Sequence, residues 1–132
     1  MNYLGIDYGR RKIGVSVGDD VSRLAEPFMV IFYKDVDEAL IKICDLVSKE
    51  DIEKVVIGLS KEEIGEESKI FGKKLEQLTH VSTIFVEEFL STKMAQKLSI
   101  EANIKREKRK RLEDAYSATL ILQSYLDENE FT

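Results

Sequence analysis

Three short apolar runs fall within the first 33 residues, joined by short links. Tyr3-Leu4-Gly5-Ile6-Asp7-Tyr8 and Ile13-Gly14-Val15-Ser16-Val17 flank a tight Gly9-Arg10-Arg11-Lys12 connection, the pattern of a β-hairpin. After a polar, irregular stretch at 20–26 comes the third run, Phe28-Met29-Val30-Ile31-Phe32-Tyr33. The only proline, Pro27, stands at its start, where proline is tolerated in a strand. Strands joined this closely form an antiparallel meander, and the rest of the chain must pack on it.

The hydrophobic period then changes. Val36, Ala39, Leu40, Ile43, Cys44 and Val47 recur at three and four residues, which predicts an amphipathic helix over 36–49. Asp35 and Glu38 form a capping box at its start. The wholly apolar Val55-Val56-Ile57-Gly58-Leu59 reads as a strand covered on both faces. Residues 60–67 are acidic and exposed, and a helix follows to about 78 with Ile70, Phe71, Leu75 and Leu78 on one side. A fifth strand at 81–86 breaks off into Glu87-Glu88. Ser91 or Thr92 caps a helix carrying Met94, Ala95 and Leu98. The stretch Lys105-Arg106-Glu107-Lys108-Arg109-Lys110-Arg111 is poorly patterned and reads as a mobile connection. The last helix begins near 112 and carries Ala115, Ala118, Ile121, Leu122, Tyr125 and Leu126.

The order βββ-α-β-α-β-α-α, with no repeat or linker, predicts one α/β domain over 1–132. Its mixed five-stranded sheet has three antiparallel strands and then two more, with helices on both faces. Right-handed crossovers run the later strands parallel to the first. Ligands of such sheets gather at the carboxyl ends of the strands, and Asp7 and Glu87-Glu88 both lie at such ends.

Composition narrows the chemistry. A single cysteine, Cys44, excludes an intramolecular disulfide and reads as a buried, reduced thiol. No apolar run approaches the ~20 residues of a membrane span, and the start lacks a signal-peptide pattern, so a cytoplasmic location is expected. The net charge of −5 does not by itself mark a nucleic-acid binder. Base is concentrated locally, however, at Arg10, Arg11 and Lys12 and at 105–111, and local patches make phosphate-binding surfaces.

Three acids are not explained by local structure. Asp7 ends the first strand, Glu87 or Glu88 the fifth, and Asp114 opens the last helix. Each has a plainer reading: a solvated hairpin charge, a strand-end pair in water, an acid favoured by the helix dipole. Together at one sheet edge, carboxylates repel one another unless a cation sits between them, and oxygen donors favour Mg²⁺ or Mn²⁺ over zinc. No rival constellation exists. His80 is the only histidine and lies in a helix–strand connection; Ser60, Ser91 and Thr92 have no matched base. The 9–14 region lacks the Walker pattern.

At this point the sequence resembles a known family. LGIDYGRRKIGVSVGD is similar to the opening of the YqgF/RuvX proteins, and the likeness continues through VVIGLS, VEEFLST and LEDAYSATLILQSYLDE, in the family's order and spacing. The resemblance implies a RuvC-like ribonuclease H fold and a metal-dependent nuclease. Its substrate would be structured RNA, above all the 5′ end of the small-subunit ribosomal RNA precursor, or branched DNA such as Holliday junctions. Carried over residue by residue, the metal-binding and catalytic acids are Asp7, Glu88 and Asp114, with Glu87 in place of the usual aspartate. They would hold one or two Mg²⁺ or Mn²⁺ ions. Arg10, Arg11, Lys12, Lys105, Arg106, Lys108, Arg109, Lys110 and Arg111 would attract the nucleic-acid backbone, and Ser91 and Thr92 match the family's Ser/Thr pair. Two departures stand out: Gly58-Leu59-Ser60-Lys61 replaces the usual Gly-Leu-Pro with its following asparagine and glycine, and Phe89 replaces the arginine after the acid pair. Junction resolution needs two facing sites, so the expected state is a monomer or a weak homodimer.

Two other classes compete. Gly5-Ile6-Asp7-Tyr8-Gly9 before a basic hairpin also resembles the first phosphate motif of actin-like ATPases and sugar kinases, but the chain supplies only one of the two domains such enzymes need. A non-catalytic RNA-binding or ribosome-assembly protein of the same fold is the second rival, on the strength of Ser60 and Phe89.

Overall fold

The alternation of side chains along the first strand assigns the two layers that cover the sheet. A computed structural model describes residues 1–59, 63–87 and 106–128, with backbone alone for 63 and 106–114. Strands β1 (Asn2–Tyr8), β2 (Lys12–Asp19) and β3 (Ala25–Phe32) form the meander. Helix α1 (Val36–Lys49) leads to β4 (Ile52–Leu59), α2 (Glu63–Thr79) to β5 (Ser82–Glu87), and helix α3 (Arg106–Glu128) closes the chain. The sheet order is β3-β2-β1-β4-β5, so β1 is central. It pairs antiparallel with β2 and parallel with β4, which pairs parallel with β5. The expected mixed sheet of five strands is therefore present.

Leu4, Ile6 and Tyr8 point to one face with Ile13 and Val15, where they pack against Ala39, Leu40, Ile43 and Leu75 of α1 and α2. Tyr3, Val56, Ile121, Leu122, Tyr125 and Leu126 form the core on the other face, beneath α3. The α3 side is close-packed. A side chain at Gly5 would lie 2.9 Å from the Ala118 carbonyl and 2.8 Å from Leu122, and one at Gly58 would strike Ile121 at 2.5 Å. The buried Ser16 hydroxyl donates to that same Ala118 carbonyl at 2.8 Å. Gln123 holds the β2–β3 connection, accepting from Ala25 N and donating to the Arg23 carbonyl, each at 2.9 Å.

Several boundaries differ from the sequence reading. Strand β3 begins two residues before Pro27, which is tolerated because β3 is an edge strand and the β2–β3 register shifts beside its partner Ser16. Helix α2 starts at Glu63 rather than after the acidic segment, because Ile64 and Ser68 face inward. Ile70 and Leu78, assigned to its apolar side, are 55% and 59% exposed; only Phe71 and Leu75 are buried. Asp35 does cap α1, accepting from Glu38 N at 2.9 Å, but Glu38 accepts from Lys34 N instead of closing on the cap residue. Cys44 is half-buried, and burial pushes its thiol up. The helix expected after Ser91 lies outside the described residues.

The largest correction concerns 105–111. From Arg106 onward this basic stretch is the first two turns of α3 rather than a mobile connection. A run of Arg, Lys and Glu has good intrinsic helix propensity even without an apolar stripe, which is the signal periodicity misses. Among the described residues, no helix is long and apolar enough to cross a membrane.

Gly5→Ala is expected to lower unfolding stability by about 1–3 kcal/mol, the usual cost of overpacking. Urea denaturation checks this; an unchanged midpoint would contradict the close seating of α3.

Candidate active site

Asp7 is the penultimate residue of β1 and is half-buried. By strand alternation it shares the α3 face with Tyr3 and Gly5. Its partner on β2 is Gly14, which is buried; as at Gly5, no side chain there holds a helix off the sheet.

The path of α3 shows what meets Asp7. Tyr125 packs edge-on against Tyr3 with ring centroids 5.9 Å apart, while Ala118 and Leu122 sit over Gly5. The helix therefore runs antiparallel to β1. From Gly5 to Asp7 the strand advances about 6.6 Å, and one helical turn back from Ala118 is about 6 Å, which brings the backbone at position 114 to the level of Asp7. Positions 114, 118 and 122 share one stripe of the helix. Asp114 thus belongs more than two turns inside α3 and not in its first turn, so the helix dipole does not account for an acid there. The turns at 106–111, with Arg106, Lys108, Arg109, Lys110 and Arg111, continue past the carboxyl end of the sheet.

The fifth strand divides its glutamates. Glu87 is the partner of Leu59, and Phe85, two residues earlier, packs into the core under α1 and α2. Glu87 therefore lies on the face opposite Asp7 and is exposed. Glu88, Phe89, Ser60, Lys61, Ser91, Thr92 and Lys105 lie outside the described residues. Among the described residues no three His, Cys, Asp or Glu side chains are grouped as a metal site, Asp7 being the one predicted ligand whose side chain is described. His80 is exposed at the end of α2, at the opposite, amino-terminal edge of β5, in keeping with a connection residue.

The hairpin tip completes the site. Asp7, Arg10, Arg11, Lys12 and Phe32 line a groove of about 430 Å³. Arg11 and Lys12 are exposed, but Arg10 does not simply face solvent. Its guanidinium clasps Glu67 of α2, with Nε at 3.1 and 3.2 Å from the carboxylate oxygens and Nη2 at 3.1 Å. Both partners are substantially exposed, so the pair contributes only about 0.2–1 kcal/mol and chiefly fixes the tip against α2. Gly9 serves close approach rather than a left-handed turn: a side chain there would lie 2.6 Å from the Lys12 carbonyl. The Tyr33 hydroxyl donates to the Gly9 carbonyl, and Tyr33 N donates to the Arg11 carbonyl at 3.1 Å. Glu67, Tyr33 and Phe32 are site residues that sequence reasoning missed. Only Phe32 left a signal: it ends an apolar strand at the level of the basic hairpin.

Two solved structures share this fold over nearly the whole chain. Fowlpox virus resolvase, in complex with its substrate Holliday junction DNA, superposes with a TM-score of 0.69 at 10% identity, covering 96% of this chain and 97% of that one. Thermus thermophilus RuvC gives 0.60 at 12% identity, covering 96% and 94%. The fold is thus the ribonuclease H-like fold of the RuvC-type resolvases. The family model described as "RuvX: Holliday junction resolvase" matches residues 1–128. A relative from Caldanaerobacter subterraneus subsp. tengcongensis, named "Putative pre-16S rRNA nuclease", is 38% identical over 134 residues, covering 96% of each chain. The chain belongs to the RuvX (YqgF) family.

Burial, then the neighbouring Tyr8 hydroxyl, push the Tyr33 phenol well above the ordinary tyrosine value of 10.0. Since the unfolded chain ionises first, the stability this contributes is complete below pH 10 and is lost as pH rises from there through the folded value. Denaturation midpoints followed into alkaline pH should fall, and Tyr33→Phe should flatten that fall. An equal slope in both proteins would contradict the buried placement of the phenol.

Proposed function

We propose that this chain is a divalent-metal-dependent nuclease that hydrolyses phosphodiester bonds of structured RNA, with maturation of the 5′ end of pre-16S rRNA as its role. The observation that carries this reading is the convergence of Asp7, at the end of the central strand, with position 114 of the helix crossing above it, beside a groove edged by Arg11 and Lys12. The names of the relatives support the substrate, and the family model's description supports nuclease chemistry.

The donor set fits a hard cation. Asp7, Glu88 and Asp114 offer carboxylate oxygens alone, while His80 and Cys44 stand on other parts of the fold. Of the acid pair, Glu88 is the proposed ligand, since Glu87 lies on the other face. Bound there, Mg²⁺ or Mn²⁺ supplies Lewis-acid polarisation of the phosphate and a more acidic water.

The protein's own groups do the rest. Asp7 pairs with Gly14 of β2 and directly follows Ile6, which is paired on both sides of β1, so its backbone is held in place before any ligand arrives. Arg11 and Lys12 draw the phosphodiester backbone into the groove without reading bases. The basic turns of α3, Arg106, Lys108, Arg109, Lys110 and Arg111 with Lys105 before them, extend that attraction past the sheet edge. Arg10, held by Glu67, keeps the tip in place for its two neighbours.

Asp7→Asn retains shape and polarity but loses the charge. It is expected to fold normally and to lose more than about 100-fold of Mg²⁺-dependent cleavage, since even outer partners of metal ligands cost about 10–100-fold when removed. Cleavage of a pre-16S 5′-end RNA and of a four-way DNA junction by both proteins tests this. Undiminished cleavage by Asp7→Asn would refute the site, and cleavage of the junction alone would refute the RNA substrate.

A further inference from the structure

Phe32 is 65% exposed at the end of an edge strand. A single exposed aromatic residue needs no special account; its placement does. Phe32 is the register partner of Lys12, and both lie on the α3 face of the sheet, as does Asp7. It lines the same groove as Asp7, Arg11 and Lys12, so the groove's rim carries cations and one open aromatic ring. The ring also rises from a fixed backbone. Its carbonyl accepts from Lys42 Nζ at 2.9 Å, and the next residue, Tyr33, is tied to the hairpin tip through its N–H and its hydroxyl.

We propose that Phe32 is a stacking platform for one unpaired base of the nucleic acid, positioning the strand whose backbone passes Lys12 toward Asp7. The proposal rests on the nuclease reading above. Stacking tolerates any base, because every base has a π-face, and it adds a preference for unpaired over fully paired substrate that Arg11 and Lys12 cannot supply. A platform beside a backbone-binding cation is the arrangement that single-strand grooves require.

The test compares wild type with Phe32→Leu and Phe32→Trp in EDTA, so that no strand is cut. The probes are a stem–loop RNA with a 2-aminopurine in its single-stranded 5′ flank and a blunt RNA duplex of equal length. Leucine keeps an apolar side chain without a π-face, and tryptophan keeps the face. Phe32→Leu should bind the flanked RNA about tenfold more weakly, with an unchanged salt slope and unchanged duplex affinity. Phe32→Trp should bind as wild type does, and 2-aminopurine fluorescence should be quenched by wild type and Phe32→Trp only. Wild-type affinity in Phe32→Leu, or an equal loss on the blunt duplex, would overturn the stacking role and leave the nuclease reading standing. Failure of the wild type to bind the flanked RNA more tightly than the duplex would likewise overturn the stacking role.

Discussion

The structure depends on how closely α3 lies on the sheet. Gly5 of the central strand and Gly58 of its parallel neighbour have no side chains beneath the helix, and the Ser16 hydroxyl pins the Ala118 carbonyl to β2. Helix and sheet cannot slide independently, because the small residues fit at only one register. That register decides which turn of α3 arrives at the carboxyl end of β1. The packing of one core thereby brings position 114 of α3 to the level of Asp7, and dispersion and hydrogen bonding set that approach.

Electrostatics follow from the same frame. A half-buried acid beside an acid-bearing helix is unfavourable on its own, and the chain carries a net charge of −5. Positive charge is densest at the hairpin tip, where Asp7 emerges, and in the leading turns of α3. At the tip Arg10 pairs with Glu67, and Arg11 and Lys12 are exposed. A protein of net negative charge can in this way present a local field that favours a polyanion.

Much of this was legible in the sequence. Period-two runs with short links defined the meander, and a wholly apolar run identified β4 as interior. Asp7 was conspicuous because a carboxylate adds nothing to strand packing. Other features were not legible because they are made by tertiary contact. The start of α3 was obscured, since a solvated charged stretch has no apolar stripe to mark it. Misplacing it gave Asp114 a dipole explanation that the helix does not support. The capture of Arg10 by Glu67 joins residues from two elements with no local signature. The split of Glu87 from Asp7 depends on strand parity, which the sequence fixes only once the end of β5 is known.

In the proposed metal site, Asp7 and Asp114 hold one cation between the central strand and the helix above it. The most direct measurement is a crystal structure of the protein soaked in Mn²⁺, whose anomalous scattering locates the ion without bias. The account predicts an Mn²⁺ peak shared by the carboxylates of Asp7 and Asp114. An Mn²⁺-saturated crystal with no peak between them, or with the ion bound elsewhere, would contradict it.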